Sequence, residues 1–291
     1  MKEKIRKIDI LSLILFVLGL SYIIITVAVL LWGCVASFMP SRWFDYYPTK
    51  WPKEIVTENY AKVWREFYVP VVTKQKTYWI EDLFFNSFIY AIGCATVSAV
   101  TCSLTAYMAA QYNYKFSGVL CGIVIFTMSF PVVGTTVGEL AILKFINLHD
   151  TLLGVFLLKM NFLGMYFLVF YATFKGVPKS YAEAAKLDGA GHFAILFRVY
   201  YPMAINAVLT VILLYFINYW NDYQTPLLYL PSMPTASYGL FLYNNRGGEN
   251  APFTTHKLAS SMLVMIPTLI IFLVFQNRLI GKISLSGGVK G

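Results

Sequence analysis

Long apolar runs separated by polar connections dominate this chain. An α-helix needs roughly 20 predominantly apolar residues to cross a bilayer core about 30 Å thick. Six runs fit this requirement, and we predict a membrane-spanning helix in each: about residues 10–38, 83–110, 118–137, 152–172, 203–220 and 258–275. The first run contains no charged residue. Its apolar core is about twice as long as that of a signal peptide, so we expect a retained helix.

The composition agrees with this pattern. Of the 291 residues, 58% are hydrophobic and 13% are charged, whereas a typical soluble domain has about 25% charged residues. A soluble or disordered chain is therefore excluded, and four Cys are too few for a disulfide scaffold. We predict an all-α polytopic membrane protein with six transmembrane helices, forming a single domain over residues 1–291.

The distribution of charge predicts the orientation. The net charge is +9. With six spans, the two termini and the second–third and fourth–fifth connections share one side, which has 12 basic and 4 acidic residues. The opposite side has 10 of each. Because Lys and Arg accumulate on the cytoplasmic side, we expect both termini to be cytoplasmic. The surplus positive charge therefore indicates topology, and we expect no nucleic-acid partner.

The sequence carries no pattern typical of an active site. It lacks a G-x-x-x-x-G-K-[ST] phosphate loop, a G-x-S-x-G elbow and an H-E-x-x-H helix. Its three His are scattered, and its four Cys fall inside predicted spans without metal-ligand spacing. We therefore predict that the chain is not an enzyme, holds no metal, and does not bind ATP by itself.

One external and one cytoplasmic connection carry most of the information. The external segment 39–82 mixes aromatic residues with balanced charge, and we expect it to be structured. The cytoplasmic connection 173–202 contains Ser180 and Glu183 at the spacing of a capping box, which predicts the start of a short helix. Gly189 then predicts its end, because glycine readily adopts the left-handed conformation of a helix stop.

This connection resembles a known motif. It reads Glu183-Ala184-Ala185, three residues, Gly189, nine residues, then Val199-x-Tyr201-Pro202. That pattern resembles the EAA loop of ABC-importer permeases, E-A-A-x-x-x-G followed after nine residues by I-x-L-P. Tyr201 in place of Leu is a departure. Shorter matches resemble the carbohydrate-uptake branch, similar to the second permease subunit of the maltose transporter: Asn59-Tyr60, Asn86-Ser87, Ala106-Tyr107, Trp220-Asn221-Asp222-Tyr223 and the terminal Gly287–Gly291.

The resemblance implies a type I-like ABC-importer permease in the cytoplasmic (inner) membrane of a prokaryote. Such a permease pairs with a second permease subunit as a heterodimer and works with two ATPase subunits, which bind the ATP and Mg²⁺. An extracellular solute-binding protein delivers the substrate, here expected to be a sugar or oligosaccharide. An alternative is another solute class, such as a polyamine, phosphate or phosphonate.

The resemblance also assigns residues to the contact with the ATPase. In the EAA loop they are Glu183, Ala184, Ala185, Lys186, Gly189 and Pro202, and in the C-terminal tail Lys290. Polar side chains within spans are candidates for the substrate pathway because they are costly in lipid. These candidates are Asn86, Ser129, Lys159, Tyr215, Asn218 and Asn221.

Two interpretations of the pathway candidates remain open. Each polar side chain could equally form hydrogen bonds between helices. Lys159 lies within the fourth predicted span and has three possible environments. Its side chain snorkels to the outer interface, faces the pathway, or pairs with an acidic residue of the partner permease.

Overall fold

The structure is a computed structural model that describes residues 10–111, 117–129 and 134–280. It is mostly helical, in agreement with the predicted class. The helices are α1 (Ile10–Ser37), α2 (Ser41–Tyr46), α3 (Glu58–Glu66), α4 (Ile80–Gln111), α5 (Ser117–Ser129), α6 (Thr135–Phe145), α7 (Leu152–Leu158), α8 (Phe167–Lys175), α9 (Lys179–Leu187), α10 (His192–Ile195), α11 (Tyr201–Asn221), α12 (Gln224–Tyr229), α13 (Ala236–Asn244) and α14 (Thr254–Ile280). Strands β1 (Val69–Val71) and β2 (Lys76–Tyr78) pair antiparallel between α3 and α4.

Four helical segments of the described chain are long and apolar enough to cross a membrane. They are Ile10–Ser37, Ile80–Gln111, His192–Asn221 and Thr254–Gln276, with lengths of 28, 32, 30 and 23 residues. These segments coincide with the first, second, fifth and sixth predicted spans. The prediction of a helix in each of these four runs is therefore confirmed. Each helix has the length and the apolar composition that a membrane span requires.

The third and fourth predicted spans are not single described helices. The run 118–137 contains α5 and the start of α6, and residues 130–133 between them lie outside the described residues. The prediction of one continuous helix over 152–172 was wrong. There α7 ends at Leu158 and α8 begins only at Phe167, so residues 159–166 form a non-helical break.

Side chains of α4 stabilise this break. A non-helical backbone releases carbonyl groups from the helical hydrogen-bond pattern, and in a membrane protein these groups need other partners. The hydroxyl of Ser98 donates to the Lys159 carbonyl at 2.7 Å. The hydroxyl of Thr105 donates to the Phe162 carbonyl. Two polar residues of the second span thus replace part of the hydrogen bonding that a continuous fourth span would supply itself.

The fifth span begins earlier than predicted. A continuous helical segment runs from His192 through a π-helical turn at Leu196–Tyr200 into α11, and Pro202 lies within its first turn. The helix that contains the fifth predicted span therefore begins inside the predicted connection, 11 residues before 203. Proline has no backbone N–H to donate, and the wider hydrogen-bond pattern of a π-turn next to it accommodates this loss without ending the helix.

Contacts divide the chain into two compact units. The first comprises 1–67 and 243–265, and the second comprises 68–242 and 266–291. In the first unit, the Asn59 side chain donates to the carbonyls of Ser37 and Met39, both at 2.8 Å. The hydroxyls of Tyr60 and Ser37 share a further hydrogen bond of 2.7 Å. These bonds attach α3 to the end of α1, so the external segment is structured, as predicted.

The core of the second unit lies among α4, α8 and α11. The side of α4 that faces this core is made of small residues, because Ala91, Ala95, Ala99 and Ala106 are fully buried. Large rings from the other elements pack against it: Phe167, Phe170, Phe174, Tyr200 and Trp220. The small residues permit close helix approach, which is typical of helix packing in membranes.

Candidate functional site

The short helix of the EAA loop is exposed on one face and packed on the other. Ala182 and Ala185 of α9 are partly buried and pack against the core of the second unit. Glu183, Ala184 and Lys186 are exposed. Of the predicted docking residues in this helix, three are therefore accessible to another protein, whereas Ala185 instead fixes α9 to the permease core.

The capping box predicted at Ser180 and Glu183 does not form. Pro178 occupies the N-cap position with φ −59°, a value typical of proline, and no side chain caps the helix there. Because α9 begins at Lys179, Ser180 already lies inside the first turn. Glu183 therefore has no capping role at this helix start, and its exposed carboxylate is available to a partner.

The end of α9 agrees with the sequence prediction. Gly189 has φ +81°, in the left-handed region that favours glycine. The N–H of Ala190 donates to the Ala185 carbonyl at 2.9 Å, and that of Gly189 donates to the Lys186 carbonyl at 3.0 Å. This is the hydrogen-bond pattern of a glycine helix stop. A Cβ at Gly189 would meet no atom within 4 Å, so the surface above it is open.

Three apolar side chains beside this helix were missed by sequence reasoning. Leu187 is 90% exposed and Phe193 is 78% exposed, and Phe197 is exposed as well. Large apolar side chains this accessible are typical of surfaces that meet another protein. The sequence does contain a signal for these three residues, because they are large and apolar in a connection that is otherwise rich in charged residues and alanine.

A polar cluster lies at the break in the fourth span. It consists of Tyr90 and Ser98 of α4, Lys159, Tyr219 of α11, Asp222 and Thr225. The Lys159 Nζ lies 3.5 Å from Asp222 Oδ2 and donates to Thr225 Oγ1 at 2.9 Å. The Tyr90 hydroxyl donates to the same Asp222 oxygen at 3.0 Å. Lys159 thus pairs with an acidic residue of its own chain, an environment that was not among the three considered from the sequence.

The charges of this pair stabilise each other. Asp222 follows the last residue of the His192–Asn221 segment. Burial alone would raise the pKa of its carboxyl, but the Lys159 ammonium and the hydrogen bonds from Thr225 and Tyr90 bring the pKa below its ordinary value. Lys159 also lies 5.3 Å from the centre of the Tyr219 ring, a cation–π distance. The lowered pKa favours the ionised form of Asp222 beside Lys159.

A row of tyrosines continues from the polar cluster along α11. The Tyr219 and Tyr215 rings stack at 5.8 Å, and Tyr166 meets Tyr215 edge-on at 4.8 Å. The Tyr219 hydroxyl also shares a 2.7 Å hydrogen bond with Ser98. Aromatic rings with polar groups at their edges suit the mixed apolar and hydroxyl faces of a saccharide. Of the predicted pathway candidates, the structure brings Lys159 and Tyr215 to this region.

The other predicted pathway residues lie elsewhere or have structural contacts. Asn86 is buried and donates to the Pro234 carbonyl at 2.9 Å, which supports the alternative of hydrogen bonding between elements. Asn218 and Asn221 are exposed, and Asn221 donates to the Ile217 carbonyl of its own helix. The side chain of Ser129 and all of Lys290 lie outside the described residues.

The first unit contains a separate charged cavity of about 890 Å³. Three basic and three acidic side chains line it: Arg42, Lys62, Arg65, Glu54, Glu58 and Glu66. His256 lines it too, is 5% exposed, and has an Nδ1 without a hydrogen-bond partner among the described residues. In those residues, no group of three or more His, Cys, Asp or Glu is arranged to hold a metal ion.

The long apolar helices, the broken fourth span and the exposed EAA helix together define a membrane-embedded transport component. The family model of the binding-protein-dependent transport system inner membrane component matches residues 101–284. The chain belongs to this family. It is a transport permease and not an enzyme, as predicted.

Related permeases extend the likeness beyond the family match, to as much as 94% of the chain. A sulfoquinovosyl glycerol transport system permease of Agrobacterium fabrum is 28% identical and covers 71% of this chain and 72% of its own. An arabinooligosaccharides transport system permease of Bacillus subtilis is 28% identical, covering 72% and 73%. A probable ABC transporter permease of Pyrococcus horikoshii is 27% identical, covering 94% and 95%.

A solved structure shares the fold. A chain of a bacterial ABC transporter involved in the import of the acidic polysaccharide alginate superposes with a TM-score of 0.70 at 20% identity. The match covers 95% of this chain and 99% of the other. The arrangement of helices is therefore that of an ABC-importer permease.

Proposed function

We propose that this chain is a membrane-spanning subunit of an ATP-driven importer that translocates a sugar or oligosaccharide. Family membership supports the role in transport. The names of several relatives, which include arabinooligosaccharide and trehalose permeases, support the saccharide class. The single structural observation behind the coupling mechanism is α9, which projects an exposed charged face while its alanines anchor it to the core.

The proposed complex contains a second permease subunit, two ATPase subunits that hold ATP and Mg²⁺, and an external binding protein. In this complex the chain has six spans with both termini in the cytoplasm. The third span includes α5 and α6, and the fourth includes α7, its break and α8. No cofactor is bound by this chain itself.

The ATPase docks on α9 and the turn after it. Glu183 and Lys186 supply charges of opposite sign, and Leu187 and Phe193 supply apolar contact area around them. Gly189 leaves open space, so the ATPase surface can approach the backbone. Movement of the docked ATPase is passed to the core through Ala182 and Ala185, which pack directly against it. Ala184, Pro202 and Lys290 remain predicted contacts.

The substrate passes the break in the fourth span and the tyrosine row of α11. Non-helical backbone at membrane depth occurs where it lines a cavity or is buried in protein, so residues 159–166 are suited to a pathway. Tyr215 and Tyr166 supply rings, and Asn161, which is exposed in the break, supplies a hydrogen-bonding amide. The binding protein meets the external segment, where the charged cavity offers side chains of both signs.

The solute class is tested by uptake into proteoliposomes that contain the complete complex, with ATP inside and the binding protein outside. Labelled neutral oligosaccharides are expected to accumulate, whereas phosphate, a phosphonate and a polyamine are not. Accumulation of one of these three solutes, with no saccharide carried, would replace the saccharide assignment by the alternative solute class.

A further inference from the structure

The charge of Lys159 is the feature of the pathway that the transport role alone does not explain. Lys159 ends α7 at the start of the break, and its side chain is 23% exposed. An unpaired cation at this position would attract anionic solutes and reject cationic ones. Its Nζ, however, is directed to Thr225 at 2.9 Å and to Asp222 at 3.5 Å.

Asp222 is held in place from several sides. Its Oδ1 accepts a hydrogen bond from the Thr225 backbone N–H at 3.0 Å, and its Oδ2 accepts one from Tyr90 at 3.0 Å. The carboxylate is 20% exposed, close to the value for Lys159, so both charges of the pair face the same surroundings. Another nearby carboxylate, Glu139 of α6, accepts a hydrogen bond from Tyr229 at 2.7 Å and lies outside the polar cluster.

We infer that Asp222 neutralises Lys159 on this chain's side of the pathway, so that the lysine gives uronic acids no advantage over uncharged saccharides. The inference rests on the proposed function. A uronate carboxylate that approaches Lys159 also approaches Asp222, so attraction and repulsion largely cancel. Neutral hydroxyl groups meet no such repulsion and find tyrosine rings and hydroxyls around the pair.

The names of relatives leave the charge class of the substrate open. They include arabinooligosaccharides, which are neutral, and polygalacturonan, which is acidic. The balance of charge between Lys159 and Asp222 is therefore a feature on which the choice between neutral and acidic saccharides can depend. A change at one partner of the pair is expected to alter the charge preference of the pathway.

The test uses four forms of the complete complex: wild type, Asp222→Asn, Lys159→Met and the double variant Lys159→Met/Asp222→Asn. Asn at 222 removes the charge and keeps one oxygen that accepts from the Thr225 N–H, while its NH2 group replaces the oxygen that accepts from Tyr90 and Lys159. Lys144→Met is the matched control, because Lys144 is an exposed lysine on α6 outside the polar cluster. Trisaccharides of glucose, galactose and mannose are supplied in matched neutral and uronate forms, with the same binding protein throughout.

Two measurements are made on each form. The first is uptake into proteoliposomes, expressed as the ratio of uronate to neutral sugar. The second is equilibrium binding of the same trisaccharides to the solubilised complex without the binding protein, which removes that protein's own preference. The amount of assembled complex in the membrane is determined in parallel, so that rates refer to equal quantities.

Asp222→Asn is expected to raise the uronate-to-neutral ratio about tenfold, because one cation then lacks its counter-charge. Lys159→Met is expected to lower the ratio by a similar factor, and the double variant and Lys144→Met to stay within about twofold of wild type. Ratios unchanged in both single variants, or shifted in the same direction, overturn the inference. If the wild-type complex carries no saccharide of the panel, the proposed function itself fails.

Discussion

The EAA helix and the polar cluster use charged residues in opposite ways. On α9, Glu183 and Lys186 are exposed, next to exposed apolar side chains such as Leu187. In the polar cluster, Lys159 and Asp222 bind each other and are further held by Thr225 and Tyr90. The charged side chains of α9 are exposed to a partner, whereas those of the polar cluster bind other residues of this chain.

This difference separates a site built for another protein from a site built to remain ordered in the membrane. A charged group that is largely removed from water is stable only with a partner, so the cluster must be complete before any substrate arrives. A helix exposed to water has no such requirement. Mutations should therefore affect stability in the cluster and partner association on α9.

The largest effect on stability is expected for Lys159→Met. It leaves the Asp222 carboxylate largely buried without its counter-charge, and we expect a loss of about 2–3 kcal/mol, because breaking a buried ion pair from one side is costly. Thermal unfolding of the solubilised complex measures this loss. The double variant Lys159→Met/Asp222→Asn should recover most of it, and a double variant as unstable as the single one would contradict the pairing.

An intermediate effect on stability is expected where α7, the helix before the break, packs on α4. A Cβ at Gly93 would collide with the Phe156 ring of α7, so Gly93→Ala should destabilise by about 1–3 kcal/mol. Phe156→Leu in the same chain should restore part of the stability. Gly122→Ala is the control, since a Cβ there meets nothing within 4 Å. Equal thermal midpoints for the Gly93 and Gly122 variants would contradict close packing of α7 on α4.

The smallest effect on stability is expected on the exposed side of α9. Leu187 is 90% exposed, so Leu187→Ser should change the free energy of unfolding by no more than about 0.5 kcal/mol. The same variant should reduce copurification of the ATPase subunit severalfold. A large loss of stability with unchanged copurification would show that Leu187 serves the fold and not the docking surface.

The same two regions explain what the sequence could predict. The end of α9 was predictable because the conformation of Gly189 and its hydrogen bonds involve only residues 185–190. The start was mispredicted because Pro178 competes locally for the N-cap position. Both outcomes depend on a few consecutive residues.

The polar cluster depends on distant residues and could not be predicted in the same way. Lys159 and Asp222 are separated by 63 positions, and the hydroxyl of Ser98 that supports the break is 61 positions from Lys159. Hydrophobicity alone favoured an uninterrupted fourth span, because the partners that stabilise its break lie on another helix. The sequence identified Lys159 as unusual but not its counter-charge.

The most direct test of the central claim compares two glycine variants in the complete, reconstituted complex. Gly189 and Gly248 both have positive φ, and a Cβ at either meets nothing within 4 Å, so asparagine is equally tolerated by the chain at both. Saccharide-stimulated ATP hydrolysis is measured for Gly189→Asn and Gly248→Asn. We predict that Gly189→Asn loses most of the stimulation and that Gly248→Asn retains it. Equal stimulation in both variants would contradict docking of the ATPase at the end of α9.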